Sequence, residues 1–146
     1  MPLLLEIQSK IERSFAAQSM MTTFGASLVS TNHGQVVIAA PILNTCQQQH
    51  GFGHAALTFG LGDSAAGYAA LSVMPKGCEV LTSEMKINLL APAKGNRLEA
   101  IGKVIKPGRR LVIVQSEVFD VDGEARTKIA LMTGTMVPII KTGDHH

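Results

Sequence analysis

Between Ser14 and Pro75 the chain carries one formal charge, Asp63. Inside that stretch, residues 54–73 are Ala-rich, of helical length and apolar around the whole circumference, and Met74-Pro75 and Gly77 end them. A helix without a polar face has to be buried. A membrane span is excluded, because Gly25, Gly34, Pro41, Gly51, Gly53 and many polar amides interrupt the stretch.

What can cover such a helix is set by the remainder of the chain. After Cys78 the period becomes twofold: Leu81, Ser83, Met85, Ile87 and Leu89 alternate with Thr82, Glu84, Lys86 and Asn88. Three more strands are expected over 98–105, 111–119 and 125–137, joined by Pro107-Gly108 and Val121-Asp122-Gly123. No helical stretch separates them, so this half is an antiparallel meander. Upstream, Leu4, Ile7, Ile11 and Phe15 give residues 3–20 the stripe of an amphipathic helix. Residues 24–30 and 35–40 read as two strands around Thr31-Asn32-His33-Gly34. The order is α-β-β-α-β-β-β-β, an α+β fold with one buried helix against one antiparallel sheet.

The 146 residues suffice for one domain. With 46% hydrophobic and 16% charged residues the chain should fold and has surface to spare for self-association. A net charge of +2 gives no argument for nucleic acid. Cys46 and Cys78 lack CxxC spacing, which removes a zinc framework and a disulfide scaffold and makes a reducing cytoplasm the default. The first residues lack the pattern of a signal peptide. His145 and His146 are set aside from site reasoning.

Gly60, Gly62 and Gly67 lie within the central helix, where each costs about 1 kcal/mol relative to Ala. Close approach of a neighbouring backbone is the expected compensation. Asp63 is either a hydrogen-bonded structural acid or a general base or nucleophile with altered proton affinity. The start of the same helix, at His54, Ala55 and Ala56, offers free N–H groups and positive partial charge suited to an oxyanion. Eight residues separate Ala55 from Asp63, about 12 Å along the axis at 1.5 Å per residue, too far for one carbonyl carbon to reach both. A shared site would have to cross the interface of an antiparallel, twofold dimer.

Other motifs compete. Gly51-Phe-Gly53-His-Ala-Ala56 matches GxGxxG/A, but a dinucleotide fold needs alternating helices and parallel strands, which residues 78–137 do not provide. His50 and His54 are four apart, yet Gly51 and Gly53 oppose a helix there and no HExxH motif exists, so no metal site is expected. A capping role for His54 stands beside a catalytic one. Lys103, Lys106, Arg109 and Arg110 have no compensating acid between Glu99 and Glu117, which suits a solvated turn or a phosphate-bearing ligand.

The run Gln49-His-Gly-Phe-Gly-His-Ala-Ala-Leu-Thr-Phe-Gly-Leu-Gly-Asp-Ser-Ala-Ala-Gly-Tyr-Ala70 resembles the HGG(x)6-D-(S/T)-A signature of hotdog-fold acyl-CoA thioesterases of the phenylacetate-degradation (PaaI) type. Similarity continues through Thr82-Ser-Glu-Met-Lys-Ile-Asn-Leu-Leu-Ala-Pro92 and Pro107-Gly-Arg-Arg110, covering about residues 23–138. The resemblance implies a hotdog domain over residues 23–140, with an N-terminal helix over 1–22 and a tail over 141–146. It further implies dimers, often tetramers, that bind the thioester at the interface.

By this match His54 takes the place of the motif His and Ala55 that of the Gly whose N–H polarises the thioester carbonyl. Asp63 takes that of the nucleophile or general base. Gln48 lies where some relatives carry an amide near the carbonyl or the attacking water. Ala56, Ser64 and Gly67 would line a pocket of Leu, Met and Ala character, and Lys106, Arg109 and Arg110 would meet the phosphates of coenzyme A. The expected function is a cytoplasmic acyl-CoA thioesterase for small-to-medium acyl or aryl groups, without metal or cofactor, coenzyme A being part of the substrate. The chain departs from the motif at Ala55 and Ala56. Alanine keeps its N–H but narrows the approach, which leaves a non-catalytic acyl-CoA binder as the alternative.

Overall fold

The computed structural model describes residues 2–140. Its elements are α1 (Leu5–Ala17), α2 (Ser19–Phe24), β1 (Ser27–Asn32), β2 (Gln35–Pro41), α3 (Ala55–Leu71), β3 (Cys78–Leu89), β4 (Arg97–Lys106), β5 (Val112–Asp122) and β6 (Ala125–Ile140), with a short 3-10 turn at Asn44–Cys46. The six strands form one antiparallel sheet in the order β1-β2-β4-β5-β6-β3. The sheet wraps α3, the hotdog arrangement that the sequence resemblance implies, and the parallel crossovers of a dinucleotide fold are absent from the described residues.

Alternation along the strands follows this wrapping. In β5, Val112, Val114, Ser116 and Val118 point at α3, and in β6, Ile129, Met132 and Met136 do the same. Along α3, Leu57, Leu61, Ala65, Ala66 and Ala69 are buried against them. The helix is not covered on every side, however. Ala55 and Ala56 are exposed and Phe59, Asp63 and Ser64 only half-buried, a stripe at helical spacing that the chain leaves open.

Three expectations are corrected. The helix expected over 3–20 is two helices, because Gln18 takes an extended conformation (ψ 95°) and turns its amide to Tyr68 and Ser64. Phe24 then ends α2 ahead of Gly25 (φ 68°) and does not begin a strand. In β3, Leu81 does not share the inner face with Met85 and Ile87. A bulge between Thr82 and Glu84 resets the alternation, so Val80 and Thr82 face inward and Leu81 is exposed.

The helix glycines also divide. A Cβ on Gly60 would lie 2.8 Å from the Phe24 ring, and one on Gly62 would lie 2.1 Å from Met132 Sδ. Gly67 has room, its nearest neighbour being Met136 Cε at 3.9 Å. The close backbone approach is made from the sheet side, where a Cβ on Gly102 would lie 2.3 Å from the Ala65 carbonyl carbon. His145, His146 and the rest of the expected tail lie outside the described residues.

Candidate active site

The site begins at the first turn of α3. His54 is its N-cap: Nδ1 accepts the Ala56 N–H at 2.8 Å, and the His54 carbonyl accepts from Leu57 and Thr58. The His54 N–H is spent on the Cys46 carbonyl. Of these opening donors only the Ala55 N–H makes no hydrogen bond among the described residues, and Ala55 is exposed. It borders a cavity of about 380 Å³, shared with Gln48, Phe52, Leu89, Leu90 and Pro92.

The loop before α3 shapes that cavity through Gln48. Its Oε1 accepts from the backbone N–H of His50 (2.6 Å) and Phe52 (3.1 Å), which leaves the amide Nε2 without a partner among the described residues and available as a donor. Ala56 and the His54 ring face a separate groove with Phe24 and Cys46. The structure therefore brings Gln48 and Ala55 together, and places Ala56 and the His54 ring apart from them.

Asp63 lies two turns along α3, half-buried, with Oδ1 accepting from the Thr82 hydroxyl at 2.8 Å. Its Oδ2 makes no hydrogen bond among the described residues. Burial raises its proton affinity above the ordinary aspartate value, and the Thr82 hydrogen bond opposes part of that rise. A carboxylate so placed is a stronger base than one in water and keeps an oxygen free to use it. Asp63 opens on a second cavity of about 400 Å³, with Ser14, Gln18, Ser64, Tyr68 and Thr82. Gly67 lines it too. Of the expected Leu, Met and Ala lining only Ala17 is present here, beside Val80, and hydroxyls and an amide stand among these apolar surfaces.

The two cavities share no residue, and Ala55 and Asp63 stand eight positions apart on α3. Lys106, Arg109 and Arg110 surround the β4–β5 turn, exposed and without an ion pair among the described residues. Gln35 pairs with Lys103, and Gly34 meets Ser72 beyond the C-terminus of α3, so this turn lies at the end of the sheet away from Ala55. Val112 pairs with Met136 and Met136 with Thr82, which puts the turn nearer to the Asp63 cavity.

Sequence reasoning did not single out Thr82, Ser14, Gln18 or Tyr68. Thr82 is hidden by the bulge, whereas Tyr68 had a signal: it is the one Tyr of the chain and sits in an otherwise apolar helix. Among the described residues no helix is long and apolar enough to cross a membrane, and no three metal-ligating side chains converge.

Comparison with known proteins agrees with this architecture. The family model of the thioesterase superfamily matches residues 50–126, more than half of the chain. A thioesterase family protein from Silicibacter pomeroyi is 38% identical, with 92% of this chain and 99% of that one covered and a TM-score of 0.90. The PaaI protein of the E. coli phenylacetic acid degradation operon is 20% identical, covers 93% and 95%, and superposes with a TM-score of 0.83. A thioesterase from Haemophilus influenzae is 17% identical, covers 91% of each chain and reaches 0.81. These last two speak to the fold. From the family match and the 38% identity over nearly the whole chain, it follows that the protein belongs to the thioesterase superfamily and is a thioester hydrolase of hotdog fold.

Proposed function

We propose that the enzyme hydrolyses acyl-CoA thioesters of small-to-medium acyl or aryl groups, at a site shared between two copies of the chain. The observation that carries this reading is the division of the machinery: a free oxyanion donor, Ala55 N–H, opens on one cavity and a basic carboxylate, Asp63, on another. Hydrolysis needs both at one carbonyl carbon. A twofold axis that sets two α3 helices antiparallel brings Ala55 of each copy opposite Asp63 of the other. The free edge of β3, the twelve-residue strand that carries Thr82, supports such pairing, since a second β3 would satisfy its unpaired backbone groups.

In this arrangement the thioester oxygen accepts the Ala55 N–H while Asp63 either takes a proton from the attacking water or attacks the carbonyl itself to give an anhydride that water opens. The C–S bond breaks, and coenzyme A leaves as a thiolate that takes up a proton. His54 acts as a positioning residue, because its ring occupies the Ala56 N–H and fixes the first turn. Gln48 offers its Nε2 to the carbonyl or the water. Lys106, Arg109 and Arg110 supply charge for the phosphates. Ser64 and Gly67, which line the Asp63 cavity, border the acyl group, whereas Ala56 faces the separate groove; no cofactor is required, and two free cysteines fit a cytoplasmic enzyme. Two such dimers could stack as a tetramer.

The test is release of coenzyme A from short, medium, long and aryl thioesters by wild type and Asp63→Asn. A fall of at least about 100-fold is expected, the scale of lost acid–base help. No turnover on any thioester, with the variant unchanged, would overturn the reading in favour of an acyl-CoA binder.

A further inference from the structure

Asp120 is the one charged side chain buried among the described residues, at 7% exposure, and no step of hydrolysis uses it. It continues the alternation that turns Val114, Ser116 and Val118 of β5 inward, and it makes no ion pair among the described residues. Its partners are backbone groups of the segment between β3 and β4. Oδ2 accepts the Lys94 N–H at 3.0 Å, and Oδ1 and Oδ2 both accept the Gly95 N–H at 2.9 Å. The approach is so close that a Cβ on Gly95 would lie 2.1 Å from Oδ1. A buried carboxylate that directs both oxygens to one segment holds that segment in place, since letting go would leave the charge unsolvated.

What this segment touches next is the approach to α3. The Ala93 carbonyl accepts the Gly53 N–H at 2.7 Å, and a Cβ on Gly53 would lie 3.0 Å from that of Ala93. The other hydrogen bonds of residues 47–54 stay within residues 46–58, so the Gly53 bond is the one that ties this loop to another part of the molecule. Gly53 is followed by the cap His54 and then by Ala55. A backbone N–H cannot re-aim itself as a side chain can; its direction is set by where the chain on either side is held. On one side of Ala55 that is α3, and on the other it is Gly53. We infer that Asp120 is a positioning residue for the oxyanion donor: it clamps Lys94 and Gly95, the clamp sets the Ala93 carbonyl, and that carbonyl fixes Gly53 and with it the aim of the Ala55 N–H. The inference rests on the reading that this N–H holds the thioester oxygen. Such a donor acts only at hydrogen-bond distance from the developing charge, and a misplacement of about 1 Å costs up to about 100-fold in rate.

The experiment measures kcat and KM for the most rapidly cleaved of the short, medium, long and aryl thioesters in wild type, Asp120→Asn, Ala55→Pro and the double variant. Asparagine offers one acceptor oxygen in place of two and turns a donor toward the segment. Asp120→Asn should therefore lower kcat by about 10- to 100-fold, and kcat more than KM, because the donor acts on charge that develops in the transition state. In the Ala55→Pro background no donor is left to aim, so the same substitution should change kcat by less than about twofold. A cost equal in both backgrounds, as a merely structural acid would give, or no cost in wild type overturns the inference. Gly95→Ala, which presses on Oδ1 from outside the sheet, repeats the comparison if Asp120→Asn fails to fold. Loss of folding in both variants makes Asp120 a folding residue and overturns the inference as well. Failure of the underlying reading looks different: either no thioester is cleaved or Ala55→Pro alone keeps wild-type kcat, and the inference then falls with it.

Discussion

Two inactive variants should restore activity when mixed, and the proposed cross-subunit site fixes by how much. Ala55 is the first residue of α3, where proline is well accepted, and its N–H has no partner to lose. His54 before it already has φ −67° and ψ 146°, the extended conformation that a following proline demands. Ala55→Pro therefore removes the proposed oxyanion donor with the fold intact, at an expected cost of about 100- to 1,000-fold in kcat. Asp63→Asn removes the base. In a mixed dimer one of the two sites combines both lesions, whereas the other pairs an intact Asp63 with an intact Ala55. Random pairing makes about half of the dimers mixed, so specific activity should recover to about a quarter of wild type. Differently tagged subunits, co-expressed and separated by tandem affinity steps, should show about half of wild-type activity in the purified mixed dimer. Verified mixed dimers without recovery would refute the cross-subunit site, as would a protein that is monomeric by light scattering at working concentration.

Further outcomes follow from the same groups. The acid limb of the kcat/KM profile should lie above the range of an ordinary aspartate, and Thr82→Val should move it to still higher pH, because the lost hydrogen bond favoured the ionised Asp63. A raised folded-state pKa means that the stability Asp63 contributes is full below its unfolded value of about 3.9 and is lost as pH rises through the folded value. Thermal melts should accordingly show Asp63→Asn gaining on wild type across that window and holding a constant lead above it. Gly102→Ala should cost about 3 kcal/mol by denaturant titration, as its Cβ meets the Ala65 backbone, while Gly67→Ala should gain up to about 1 kcal/mol of helix propensity and lower kcat/KM by filling the Asp63 cavity. Replacing Arg109 and Arg110 with Ala should raise KM for acyl-CoA about tenfold, an effect absent with an N-acetylcysteamine thioester that carries no phosphate.

Which parts of this were legible in the sequence depends on how local their physics is. Asp63 stands out because one charge in an apolar helix is costly anywhere, and the meander of β3 to β6 because twofold alternation and turn residues lie close together in the chain. The break at Gln18 was not legible. Local propensity continues through residues 18–20, and what ends α1 there is a pair of contacts to Ser64 and Tyr68, both more than 40 positions away. Thr82 was misplaced for a related reason: a single bulge reverses every later side chain of a strand, and nothing in the alternation of residues 81–89 announces it. The polar part of the pocket lining was missed partly for both reasons, since Gln18 and Thr82 stand in it beside Ser14, Asp63, Ser64 and Tyr68.

The feature that constrained the fold also constrains the assembly. A helix apolar on all sides needs cover on all sides, and here the sheet supplies most of it while Phe24 of α2 seals Gly60. The stripe left open runs through Ala55, Ala56, Phe59, Asp63 and Ser64, and it holds both the free N–H and the basic carboxylate. A surface whose polar side chains are Asp63 and Ser64 alone is wasteful on a monomer and costs solubility. It is reasonable on a chain whose partner, in the proposed dimer, covers the stripe and brings the second half of the proposed catalytic pair. On that argument Ala55 and Ala56 in place of two glycines are tolerable, because their methyl groups add apolar contact on the face to be covered while the N–H that matters is untouched.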